Sequence, residues 1–96
     1  MNTNIHKNPL FDLGQTVATP GAMEALQKSN VSPSSLLARH RSGDWGDLCD
    51  EDQAENEFSL KNGYRILSSY STPYGKLWVI TEADRSATTF LLPEEY

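Results

Sequence analysis

At 96 residues, with 38% hydrophobic and 22% charged content, the chain has room for one small domain around one core. Thirteen acidic residues against eight basic ones give a formal charge of −5, which opposes docking on phosphate backbones, where clustered Lys and Arg are needed. Cys49 is the only cysteine, so neither an internal disulfide nor a thiolate metal cluster can form, and no apolar run approaches the roughly 18 residues of a membrane-spanning helix.

Residues 1–8 are rich in Asn, Thr, Lys and His and lack the apolar centre of a signal peptide. They are expected to form a disordered arm ahead of a single domain over residues 9–96, in a cytoplasmic protein. Pro9, Leu10, Phe11 and Leu13 make the first apolar patch, punctuated by Gly14, and residues 15–18 suit a short strand. Thr19-Pro20 then reads as a helix start, a hydroxyl cap followed by proline at the first helical position. The helix is expected over residues 21–28, burying Ala22, Met23, Ala25 and Leu26.

Ser32-Pro33 repeats that start signal and predicts a second helix over residues 34–41, with Leu36, Leu37 and His40 on one face. Arg39, His40 and Arg41 fall in its last turn, where cations complement the exposed carbonyls, and Gly43 is a natural stop. Asp50 opens a third helix, with Gln53 completing a capping-box pattern and Asn62-Gly63 ending it. Its inward residues are expected to be Ala54, Phe58 and Leu60, a stripe thin enough to place the helix on the surface.

Beyond Gly63 the pattern changes to strands, over residues 64–70, 76–82 and 87–92, separated by turns at residues 72–75 and 83–86. This predicts an antiparallel meander. In the middle strand Leu77 and Val79 face one way and Trp78 and Ile80 the other, so either both faces are covered or one meets a partner. Helices followed by strands give an α+β fold, with short N-terminal helices packed on a three- to four-stranded antiparallel meander.

The densest run of chemical groups is Arg39-His40-Arg41-Ser42-Gly43-Asp44-Trp45-Gly46-Asp47. His40 and Asp44 are four apart, the spacing of a base and its orienting carboxylate on a continuous helix; if Gly43 breaks the helix first, His40 packs beside Leu36. Asp44, Asp47, Asp50, Glu51, Asp52, Glu55 and Glu57 follow one another with no Lys or Arg between them. They read as a solvated acidic face or as a docking stripe with Trp45 as its aromatic anchor. Gly43 and Gly46 bracket the turn that projects Trp45, although an indole folded back into the core is the alternative. Glu82, Asp84 and Arg85 share a turn between strands, where sites often lie and where Asp is also common for its turn geometry.

Two blocks carry a resemblance. Residues 38–46, read as ARHRSGDWG, and residues 77–86, read as LWVITEADRS and continuing to LLPEEY at residues 91–96, resemble a family of small uncharacterised bacterial proteins of plasmids and other mobile elements. Some of these are labelled restriction-modification subunits. The resemblance implies a bacterial setting and no catalytic activity, and the chain lacks the Gly-rich cofactor loop of a methyltransferase. No cofactor and no metal is implied.

The expected function is therefore that of a non-enzymatic acidic module binding another macromolecule, foremost a protein, through His40, Asp44, Trp45, Asp47, Glu82, Asp84 and Arg85. In a mobile-element setting the target is a host defence or DNA-processing complex. Two other readings stand beside it: a small hydrolase or nuclease using His40, Asp44, Glu82 and Arg85, and a nucleic-acid binder using Arg39, Arg41, Arg65 and Arg85.

Overall fold

A computed structural model of the chain describes residues 9–96; the expected N-terminal arm lies outside the described residues. The elements are β1 (Gln15–Ala18), α1 (Pro20–Ser29), α2 (Pro33–Arg41), α3 (Asp50–Asn62), β2 (Ile66–Thr72), β3 (Gly75–Thr81), β4 (Ala87–Leu91) and a closing 3-10 turn (Pro93–Glu95). The class is α+β. The four strands form one sheet in the order β1-β4-β3-β2.

The meander of β2, β3 and β4 is antiparallel, but β1 joins β4 in parallel, with Gln15 opposite Ala87 and Ala18 opposite Phe90. The sheet is mixed rather than wholly antiparallel. The chain leaves β1 directly into α1, so β1 returns to the sheet as an added edge and not as part of a hairpin. A hydrogen bond from Thr88 Oγ1 to the Leu13 carbonyl, 2.7 Å, ties its approach to β4.

Two of the three helix starts share their chemistry. Thr19 caps α1, its hydroxyl accepting from the Ala22 N–H at 3.1 Å and donating to Glu95. Ser32 caps α2 in the same way through the Ser35 N–H, and proline follows the cap in both helices. For α3 the expected capping box is absent. The cap residue is Cys49 with no side-chain bond, and the Gln53 amide instead donates to the Leu48 carbonyl at 2.9 Å. Asp50, Glu51 and Asp52 in the first turn complement the helix dipole in place of a cap.

One face of the sheet carries Ile66, Ser68, Tyr70, Leu77, Val79, Thr81, Thr88 and Phe90, none more than 3% exposed. Ala22 and Leu26 of α1 and Leu36 of α2 close over Tyr70, Leu77, Val79 and Phe90 as the main apolar cluster. Strand β3 is interior to the sheet, and its two faces are unequal. Trp78 is only partly buried and meets the Tyr96 ring edge-on at 5.7 Å.

Helix α1 buries Ala22, Ala25 and Leu26 as expected, with one exception, whereas α3 is oriented otherwise than its apolar residues suggest. Met23 of α1 is 51% exposed. In α3 the expected inward residues Ala54 and Phe58 are exposed, Leu60 is half-buried, and Asn56 and Ser59 face the protein. The reason is that α3 packs beside the edge strand β2, where unpaired backbone groups need polar partners. The Asn56 side chain donates to the Leu67 carbonyl at 2.6 Å and accepts from the Leu67 N–H at 3.1 Å, taking the place of a neighbouring strand.

Candidate functional site

The helix α2 ends as its sequence predicts, yet it delivers His40 into the core rather than to a surface. His40 is fully buried, with Nδ1 2.6 Å from Ser68 Oγ and Nε2 2.9 Å from Thr81 Oγ1. Thr81 Oγ1 in turn lies 2.7 Å from Thr88 Oγ1, whose proton is committed to the Leu13 carbonyl. Each hydroxyl has one proton, so the order is fixed. Thr81 donates to Thr88, His40 Nε2–H donates to Thr81, and the unprotonated Nδ1 accepts from Ser68. The imidazole is neutral: burial first, then the Arg85 charge, pushes its pKa down to about 3. Ser68 and His40 have the spacing of a nucleophile and base, but neither is exposed to solvent.

Trp45 is core, not a projecting anchor. It is 4% exposed, stacked on Phe11 at 6.3 Å and edge-on to His40 at 6.0 Å, with Nε1 donating to Glu57 at 3.2 Å. The glycine-flanked turn serves a different end. The Trp45 carbonyl accepts from the Ser69 N–H, and the Asp47 N–H donates to the Ser69 carbonyl, so residues 45–47 run beside β2 as a short parallel bridge. Gly46 has φ +77°, and a Cβ there would overlap the Ser69 carbonyl oxygen. The glycine is required by this close approach, which turns the indole inward.

The remaining candidates organise turns and ion pairs. Asp44 accepts from Arg39 Nε at 2.6 Å and from the Gly46 N–H at 3.2 Å, and its carbonyl accepts from Tyr70 Oη at 2.7 Å. The hydrogen bond to the Asp44 carboxylate and its charge raise the Arg39 pKa, and the guanidinium covers the Tyr70 ring. Asp47 pairs with Lys76 at 2.7 Å and accepts from Ser71, which hold its carboxyl below the usual range. Glu82 lies 3.8 Å from Arg65 Nε. Asp84 accepts from the Ser86 N–H at 3.0 Å, and its hydrogen bonds to Ser86 lower its pKa.

Arg85 has φ +61°, and its guanidinium donates to the carbonyls of Tyr64, Glu82, Ala83 and Ser59. It clamps the end of α3 to the β3–β4 turn and lies over the Phe11 ring, 5.6 Å from its centre. The structure thus distributes the seven candidates rather than gathering them. His40 and Trp45 share the interior, Asp44 and Asp47 brace the segment beside β2, and Glu82, Asp84 and Arg85 form a separate turn.

The constellation of His40, Asp44, Glu82 and Arg85 is not assembled, because each has another partner. Of the four arginines weighed for nucleic-acid binding, Arg39, Arg65 and Arg85 are committed to carboxylates or carbonyls of the chain. Among the described residues no group of three metal-ligating side chains converges, and no helix is long and apolar enough to cross a membrane.

Sequence reasoning missed an aromatic pair on the surface. Phe58 and Tyr64 are 53% and 55% exposed and stack with ring centres 5.8 Å apart and planes 17° apart. Glu51, Ala54, Glu55 and Phe58 recur at spacings of three and four and form the outward face of α3. Ala54 and Phe58, expected inward, both lie on this outward face. Comparison of the chain with protein-family models, with curated proteins and with solved structures finds no match.

Proposed function

We propose that the chain is a non-enzymatic protein-binding module that docks through the outward face of α3 onto a basic surface of a partner protein. The observation that supports this reading is the stacked Phe58–Tyr64 pair, exposed at the end of a helix whose outward face carries Glu51 and Glu55. Asp50, Glu51, Asp52 and Glu55 are exposed and take part in none of the described ion pairs, so their field is available to a partner. An aromatic anchor ringed by polar groups has the composition of an interaction hot spot, and the acidic ring selects partners by charge. The aromatic role given to Trp45 by the sequence passes to Phe58 and Tyr64. The resemblance to mobile-element proteins favours a host defence or DNA-processing complex as the target.

The test is affinity capture from the native host with the wild-type chain and with the Phe58→Ala/Tyr64→Ala double variant. Both side chains are exposed, so the variant stays folded. A directly bound partner with a basic surface is expected to lose at least about 30-fold in affinity, corresponding to a hot-spot loss of about 2 kcal/mol. Binding is also expected to weaken as salt rises. Failure to retain any partner, or a partner that binds both forms equally, refutes the reading.

A further inference from the structure

The two edges of the sheet are finished differently. On β2 the outward backbone groups of Leu67 are taken up by the Asn56 amide and those of Ser69 by residues 45–47, which leaves only Ser71, beside the hairpin end, outward. On β1 the Gln15 N–H donates to the Ser86 carbonyl and the Thr19 N–H to the Phe90 carbonyl. In a parallel ladder this turns the odd-numbered residues toward β4, so the N–H and C=O of Thr16 and Ala18 point away from the sheet. Among the described residues none of these four groups has a hydrogen-bond partner.

Apart from its four-residue length, β1 does not carry the devices that blunt an open edge. Residues 15–18 contain no charge and no proline. The groove beside the strand, lined by Met23, Leu26, Gln27, Pro33, Leu37 and Phe90, is also free of charged side chains. We infer that β1 pairs with β1 of a second copy of this chain, joining two four-stranded sheets edge to edge across a two-fold axis.

The register follows from the outward groups. Antiparallel pairing about an axis at Val17 sets Thr16 opposite Ala18 of the second copy and Ala18 opposite its Thr16. Each such pair exchanges both N–H···O bonds, so all four free groups of each chain are satisfied by identical elements. Val17, 42% exposed, then meets Val17 of the second copy.

Charge favours this occupant. The chain carries −5, and its longest acidic run lies on α3 and the segment leading to it, beside β2, at the far edge of the sheet from β1. Pairing through β1 brings together the uncharged edges and holds the two β2 strands seven strand spacings apart, roughly 34 Å. That is several times the Debye length of about 8 Å at physiological salt. An added strand from a charged partner would find no countercharge in the groove, whereas an identical uncharged strand needs none. This surface is independent of the α3 face.

Cross-linking reads the register directly, in a Cys49→Ser background. At the axis, Val17→Cys places two thiols on a non-hydrogen-bonded pair with Cα atoms about 4.5 Å apart, within disulfide reach. Gln15→Cys pairs opposite Thr19, leaving its thiols roughly 14 Å apart. Mild oxidation is expected to convert V17C to covalent dimer at least tenfold faster than Q15C. In sedimentation equilibrium the wild-type chain is expected to associate to a dimer as concentration rises. Thr16→Pro, which removes an outward N–H while sparing the ladder to β4, is expected to weaken that association at least tenfold. A chain that stays monomeric to millimolar concentration, equal cross-linking of the two cysteines, or a dimer indifferent to Thr16→Pro overturns the inference. So does concentration-independent protection of the Thr16 and Ala18 amides from hydrogen exchange.

Discussion

Burial of His40 makes the domain acid-sensitive between pH 7 and pH 5. The imidazole has an ordinary pKa of 6.5 and a folded-state value of about 3. Between these values the unfolded chain binds the proton and the native chain does not. The stability contributed by the neutral imidazole is therefore fully present above about pH 6.5 and is lost progressively as pH falls toward about 3. Proton linkage for one such group gives a loss of about 2 kcal/mol between pH 7 and pH 5. For a domain of this size that lowers Tm by about 8–16 °C.

Asp47, Asp84 and Glu95 act in a lower interval. Asp47, Asp84 and Glu95 are held below their usual range chiefly by hydrogen bonds from Lys76, Ser86 and Thr19 respectively. Their stabilisation is present above the ordinary values of 3.8 for the aspartates and 4.5 for Glu95, and is lost only as pH falls below these. The assay is urea unfolding at pH 7 and pH 5, followed by tryptophan fluorescence, with His6→Gln in the chain so that one histidine remains. Equal stability at the two pH values within about 0.5 kcal/mol, or an NMR titration of the His40 ring near its ordinary value, refutes the account of a buried neutral imidazole in a closed hydroxyl chain.

Two substitutions test how the fold is held. Trp45→Ala removes the indole between Phe11, His40 and Glu57 and is expected to cost about 3–5 kcal/mol, measured by chemical denaturation; a variant as stable as the wild type returns Trp45 to the surface. Asn56→Leu keeps the size of the side chain but leaves the Leu67 N–H and C=O without partners. It is expected to cost about 2–4 kcal/mol and to speed hydrogen exchange along β2, whereas an unchanged melting temperature shows that the side chain is not the strand's partner.

Much of the local structure was legible in the sequence because its signals act over a few residues. Thr19-Pro20 and Ser32-Pro33 start helices through a hydroxyl and a fixed φ, and both do so within one residue of the expected place. The unbroken apolar run Leu77-Trp78-Val79-Ile80, apolar on both faces, marked a strand, and β3 lies in the interior of the sheet. What the sequence could not decide is which partner each side chain meets across long separations. His40 and Thr81 are 41 residues apart, and nothing local distinguishes a helix-end histidine in solvent from one aligned by two buried hydroxyls.

The same holds for Trp45, whose flanking glycines suit an outward turn and an inward one equally. Only the approach of residues 45–47 to Ser69 fixes the direction. Spacing gave α3 a face of Ala54 and Phe58, yet the helix buries Asn56 and Ser59, because an edge strand demands hydrogen bonds more than apolar cover. Propensity, caps and alternation, the properties of neighbouring residues, settled the elements. Tertiary structure decided which strand lies at an edge and which polar groups are enclosed, because backbone hydrogen-bond demand is set by neighbours in space rather than in sequence.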